Sequence, residues 1–164
     1  MPLDINKILA AMNEAEVKYL LIGGANFMLR HKGAMTYDVD LWVEDSEANL
    51  MLIHQALSGL QAEWGSTDDD WGPVADKSPD WLTSQAMFCL MTPWGALDIF
   101  RSLLGVEIWS SAWLRSKQEQ TAAGIPYRAI SDADMLDCQY ALPEGQRNRT
   151  RVEFLENELK KSQS

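Results

Sequence analysis

Apolar positions along the chain fall into two patterns, a helical repeat of three to four residues and short unbroken runs. Residues 4–15 place Ile5, Ile8, Leu9 and Met12 at helical spacing, with Asp4 ahead of them as an N-cap. Residues 17–22 form a continuous apolar run, the mark of an interior strand. Gly23-Gly24 ends that run, residues 25–31 suit a short helix, and Gly33 breaks it. Residues 37–43 read as a second strand. Asp45 or Ser46 then caps an amphipathic helix with Leu50, Ile53, Leu57 and Leu60 on one face and Gly59 near its end.

Residues 61–84 carry no clear period; they hold Trp64, Trp71, Trp81 and the run Asp68–Asp70, and read as a long loop with one short strand. The pattern then predicts a hairpin, with strands over 86–91 and 96–100 around the turn Thr92-Pro93-Trp94-Gly95. A helix follows over 107–114. Residues 125–130 read as an edge strand because Pro126 is tolerated there. Ser131 or Asp132 caps a helix running to Leu142. After Pro143 and Gly145, a final helix over 149–161 turns Val152, Leu155 and Leu159 inward. Strands and helices interleave, so the expected fold class is α/β (α+β): one domain over 1–164, a mixed β-sheet flanked by helices, with 143–164 as a C-terminal helical extension.

Composition adds boundaries to this picture. A chain of 164 residues with 46% hydrophobic content can build one substantial core. No apolar run has the length of a membrane span. The start, Met1-Pro2-Leu3-Asp4, lacks the basic-then-apolar pattern of a signal peptide, and the cytoplasm is the expected compartment. Cys89 and Cys138 fit neither a CxxC pair nor a disulfide framework, and read as reduced, partly buried thiols. A net charge of −10 argues against a broad basic nucleic-acid surface. It leaves room for a nucleotide site, because a divalent ion can supply local positive charge.

The chemistry concentrates in the two strands of the first third. Asp38 and Asp40 stand at i and i+2 of a strand and therefore on one face. Two adjacent carboxylates repel, and a divalent cation is the usual reason to keep them together. Asp98 interrupts an apolar strand between Leu97 and Ile99 and needs a partner or a job. If its strand lies beside the first pair, three carboxylates converge, enough to hold two Mg²⁺ ions (or Mn²⁺) that clamp a phosphoryl displacement. Gly23-Gly24 at a helix start would present backbone N–H groups to a phosphate chain.

Gly23-Gly24, then Thr36-Tyr37-Asp38-Val39-Asp40, then a lone Asp98 resembles the signature of the polymerase-β-like nucleotidyltransferase superfamily. Its small prokaryotic members, the minimal nucleotidyltransferases and AbiEii-type toxin proteins, are the most similar. The resemblance implies that Gly23, Gly24, Thr36 and Asn49 serve the nucleotide and that Asp38, Asp40 and Asp98 hold two metals. The implied reaction moves a nucleoside monophosphate from an NTP to an acceptor: a tRNA, a protein or a small molecule. Two positions depart from the family pattern. Ala34 stands where relatives carry Arg, with Arg30 and Lys32 nearby, and Gln139 stands where relatives carry Lys, with Arg147, Arg149 and Arg151 as replacements. The departures raise a second expectation, a weakly active nucleotidyltransferase-fold component of a toxin–antitoxin or phage-defence system that binds nucleotide or a partner protein.

Other residues carry blander expectations. Asp68–Asp70 read as a solvated loop rather than a calcium site, the tryptophans as pins for the long loop, and His31 and His54 as isolated side chains without metal-ligand spacing.

Overall fold

The computed structural model describes residues 3–31 and 36–163; the readings made at Lys32, Gly33 and Ala34 lie outside the described residues. Helix α1 (Ile5–Glu14) starts where Asp4 accepts a hydrogen bond from the Lys7 amide, and it buries Ile8, Leu9 and Met12. Strand β1 (Tyr19–Ile22) is buried throughout and runs directly into α2 (Gly23–His31). Strand β2 (Asp38–Val43) leads to α3 (Glu47–Gly59), capped by Ser46. Asp45, the other candidate cap, pairs with Arg101 at 2.9 Å instead.

The segment after α3 is more ordered than its composition suggests. It contributes two short strands, β3 (Glu63–Trp64) and β4 (Gly72–Pro73), linked by one 3₁₀ turn at Asp68–Asp70. The hairpin follows as β5 (Met87–Thr92) and β6 (Gly95–Phe100), then α4 (Trp109–Arg115), β7 (Lys117–Gln120), β8 (Pro126–Ala129), α5 (Asp132–Tyr140) and α6 (Arg149–Ser162).

The eight strands form one mixed sheet in the order β4-β3-β5-β6-β2-β1-β8-β7. The expected edge strand, β8, is therefore interior. Its Pro126 sits at the first strand position, where the missing N–H costs nothing in the ladder. The true edge is β7, whose sequence Lys-Gln-Glu-Gln is polar on both faces and shows no apolar alternation to reveal it. At the other edge, β4 is two residues long and ends in proline, which blunts it against further pairing.

Two cores sit on the two sheet faces. One, under α1 and α3, gathers Leu21, Val39, Leu41, Leu97 and Ile99 with Trp64, Trp81 and Phe88, so two of the three loop tryptophans do pin the 61–84 segment. His54 adds to this by bonding the carbonyls of Val74 and Lys77, at 3.1 and 2.9 Å. The other core, under α4, α5 and α6, gathers Leu20, Ile22, Trp42, Met135 and Leu155. α6 is thus built into the second core through a fully buried Leu155.

Asn49 is placed away from the carboxylate end of β2. It is 3% exposed, and its side chain bonds the Lys18 amide at 2.9 Å, the Lys18 carbonyl at 3.0 Å and the Glu44 carbonyl at 2.8 Å. These bonds tie the start of α3 to the entry of β1 and the exit of β2, four residues beyond Asp40. Asn49, to which the resemblance assigns a nucleotide role, acts here as a tether between these segments. Asn49→Ala would remove the side-chain partner of the Lys18 amide and the Glu44 carbonyl, while the Lys18 carbonyl keeps the Glu44 amide. It is expected to cost about 2–4 kcal/mol in a urea unfolding titration while leaving Mn²⁺ affinity unchanged.

Candidate active site

β2 and β6 run parallel and in register, with Asp38 opposite Ala96 and Asp40 opposite Asp98. Directly opposed residues share a face, so Asp38, Asp40 and Asp98 meet. Their carboxylate oxygens lie within 4.8 Å of one another. The convergence expected from Asp98 is therefore present, although like charges directly opposed destabilise a sheet.

Electrostatics record the conflict. Burial, then Asp38 and Asp98, push the Asp40 pKa from its usual 3.8 up to about 8. Burial also raises the pKa of Asp98. Asp40 Oδ1 is buried without a hydrogen-bond partner. An orphaned, buried carboxylate oxygen in a cluster of three acids is the donor set a hard divalent cation requires, and the residues fit such an ion.

The glycine turn is shaped by the same carboxylates. Gly23 has φ +69°, and a Cβ on it would lie 2.5 Å from Asp40 Oδ2. Only glycine allows both the left-handed backbone and the close approach of the acid. At Gly24 a Cβ would meet Thr36 Oγ1 at 3.2 Å and Arg151 Nη2 at 3.3 Å. Thr36 Oγ1 donates to the Asp38 carbonyl at 3.1 Å and lies 3.3 Å from its carboxylate, so it orients the first acid of the triad.

Among the described residues, Arg151 is the cation that lines the cleft. Its guanidinium lies over the Phe27 ring at 5.5 Å, interacts with the Asp40 charge, and keeps a buried Nε without a partner. Gln139 sets it in place indirectly. Gln139 Oε1 accepts from the Asn148 amide at 2.8 Å, and Asn148, the N-cap of α6, accepts from the Arg151 amide at 3.0 Å. Two of the other sequence candidates for this charge, Arg30 and Arg147, are occupied elsewhere. Arg30 bonds Asp132 at 2.7 Å beside His31, and Arg147 folds onto the carbonyls of Tyr140 and Leu142.

Beside Gly23, Asp40 and Arg151 opens a cavity of about 430 Å³, walled by Phe100, Leu103, Leu104, Ile130, Met135 and Leu142 and bordered by Gln139. Loop residues 102–104 gave no sequence signal for this wall. On the opposite flank, Cys89 stands across the strand pair from Asp98. It is exposed rather than partly buried as expected, and both cysteines are free. Burial and the neighbouring acids raise its pKa, which keeps it a thiol.

Among the described residues no helix is long and apolar enough to cross a membrane. No protein-family model matches the chain, and no curated protein is similar to it by sequence. Solved structures are similar in fold. The antibiotic-resistance factor ANT(2″)-Ia, in complex with adenylyl-2″-tobramycin, superposes with a TM-score of 0.60 at 18% identity, over 94% of this chain and 87% of that one. The lincosamide antibiotic adenylyltransferase LnuA, lincomycin-bound, superposes with a TM-score of 0.62 at 15% identity, over 95% of this chain and 98% of that one. The chain has a polymerase-β-like nucleotidyltransferase fold, with three acids gathered beside its glycine turn.

The raised pKa of Asp40 sets two expectations. Below pH 8 the metal-free site holds a proton that a cation must displace, so Mn²⁺ affinity by calorimetry should rise up to about tenfold per pH unit and level off above about pH 8. The folded state also binds this proton more tightly than the unfolded chain does. Its stabilising effect is full below about pH 4 and is lost as pH rises through about 8. Asp40→Asn is therefore expected to stabilise the metal-free protein at pH 8 by about 1–3 kcal/mol in thermal melts, and to abolish Mn²⁺ binding.

Proposed function

We propose that the protein is a metal-dependent nucleotidyltransferase that moves a nucleoside monophosphate from an NTP to an acceptor hydroxyl. The observation that carries this reading is the in-register meeting of Asp38, Asp40 and Asp98 beside Gly23. Divalent cations, Mg²⁺ or Mn²⁺, would be held by these three acids and would neutralise charge on the phosphates and the attacking oxygen.

The chain's own groups divide the remaining work. The amides of Gly23 and Gly24, at the start of α2, donate to the triphosphate with no Cβ in the way. Arg151 supplies the fixed positive charge that Gln139 cannot, and pairs with phosphate oxygens. The nucleoside enters the adjoining cavity, whose volume of about 430 Å³ suits a base and ribose and whose apolar walls exclude water. Asp98, with its raised pKa, accepts the proton of the acceptor hydroxyl. The acceptor oxygen forms a bond to the α-phosphorus as the bond to the bridging oxygen breaks, and pyrophosphate leaves with that electron pair.

The fold's similarity to two antibiotic-modifying proteins supports small-molecule acceptors as well as macromolecular ones. The test is transfer of α-³²P label from NTPs, in Mg²⁺, to fractionated cell extract. The native chain is expected to label an acceptor, with Asp38→Ala/Asp40→Ala reducing the rate by more than about a thousandfold. Equal labelling by the two would sink the proposal. Mg·NTP binding without any product would favour the nucleotide-binding toxin–antitoxin or phage-defence component instead. Arg151→Ala is expected to raise the KM for NTP about tenfold, a loss of about 1.4 kcal/mol, with a smaller effect on kcat.

A further inference from the structure

The face of the sheet that carries the triad continues past it onto β5. Strand register passes from Asp40 to Asp98 to Cys89, from Trp42 to Phe100 to Met87, and from Asp38 to Ala96 to Met91 and on to Glu63 of β3. Met87, Cys89, Met91 and Glu63 therefore share the triad's face, on the flank opposite the glycine turn and the cavity. The alternate residues of β5, Phe88 and Leu90, are fully buried in the first core, whereas Met87 is 39% and Met91 51% exposed. β5 pairs with β6 along its length and with β3 at Met91, so its outward methionines stand on a paired strand and form an uncovered apolar platform. At the rim, Trp71 Nε1 donates to Glu63 Oε2 at 2.8 Å, which holds a half-exposed indole against Glu63.

Charge on this platform is one-sided. None of the residues that β2, β6, β5, β3 and β4 place on this face is Lys or Arg. With Asp38, Asp40 and Asp98 committed to metal, Glu63 is the charge left, and among the described residues no cation pairs with it. A single-stranded RNA end would need the opposite surface, a basic groove with stacking rings.

We propose that this platform, resting on the nucleotidyltransferase reading above, binds the acceptor, and that the acceptor is a small amphipathic molecule with an apolar body, a hydroxyl directed at Asp98 and a protonated amine at Glu63. Two strand spacings and a two-residue offset separate Glu63 from Asp98, about 10–12 Å, which sets the distance between amine and hydroxyl. Methionine side chains adapt to irregular apolar shapes, so the platform tolerates variation in the body of the molecule.

Protein labelled with ¹³C-methyl methionine tests this without turnover. The probes are 4-(3-aminopropyl)benzyl alcohol, its amine-free analogue 4-propylbenzyl alcohol, and a single-stranded RNA dodecamer. The amine probe is expected to shift the Met87 and Met91 methyl signals, to bind at least threefold more tightly than the neutral analogue, and to lose that advantage in Glu63→Gln. RNA is expected to leave both signals in place. Shifts with RNA, no shift with the amine, an amine effect unchanged in Glu63→Gln, or concentration-dependent broadening of these methyls without probe (a second copy on the face) would each overturn the proposal. A separate Mn²⁺ arm reads the triad: broadening of the same methyls in the native chain but not in Asp38→Ala/Asp40→Ala. Failure there strikes the metal reading, while the probe titrations still decide the platform.

Discussion

Mutual repulsion of three carboxylates is the constraint around which the rest of the structure is arranged. Parallel pairing of β2 with β6 places Asp40 opposite Asp98, an arrangement a sheet avoids unless something else compensates. Its neighbours are chosen accordingly. Gly23 gives up its Cβ so that the Asp40 carboxylate has room, Thr36 turns its hydroxyl to Asp38, and Arg151 reaches over from the last helix. Asp40 keeps an orphaned oxygen even so. Such strain persists where stability has been traded for a site.

The two cores explain why the acids can be both held and reached. One face of the sheet is sealed by α1 and α3, which makes β2 and β6 stiff. The other is covered by α4, α5 and α6 over β8, β1, part of β2 and Phe100 at the end of β6. The triad lies where that cover stops. On the covered side the boundary becomes a cavity, on the bare side a platform of methionine and tryptophan. One edge of helix packing thus creates two unlike environments on either side of a shared acidic line.

Much of this was legible in the chain because the signals were local. A glycine pair ending an apolar run, two aspartates at strand spacing and a lone aspartate in an apolar strand each carry their own physical anomaly, and register brings all three together. What escaped were features set by distant contacts. β7 is polar on both faces and exists because β8 needs an outer partner. Asn49 resembles a ligand-binding residue in sequence, yet three backbone groups from two other segments consume it. Arg151 was one of three equivalent arginines, separated from the others only by the link from Gln139 through Asn148. The 61–84 segment hides its order because Trp64 and Trp81 pack at irregular spacing.

The bare half of the sheet has a chemical side as well as a binding one. Met87, Cys89 and Met91 set three sulfur atoms in a row on an exposed face, beside acids suited to transition metals. Sulfoxide formation would turn each thioether from apolar to polar and chiral, and a sulfenic acid at Cys89 would replace the thiol that stands opposite Asp98. The face that carries the methionine platform is therefore also one where oxidants would change the protein's character.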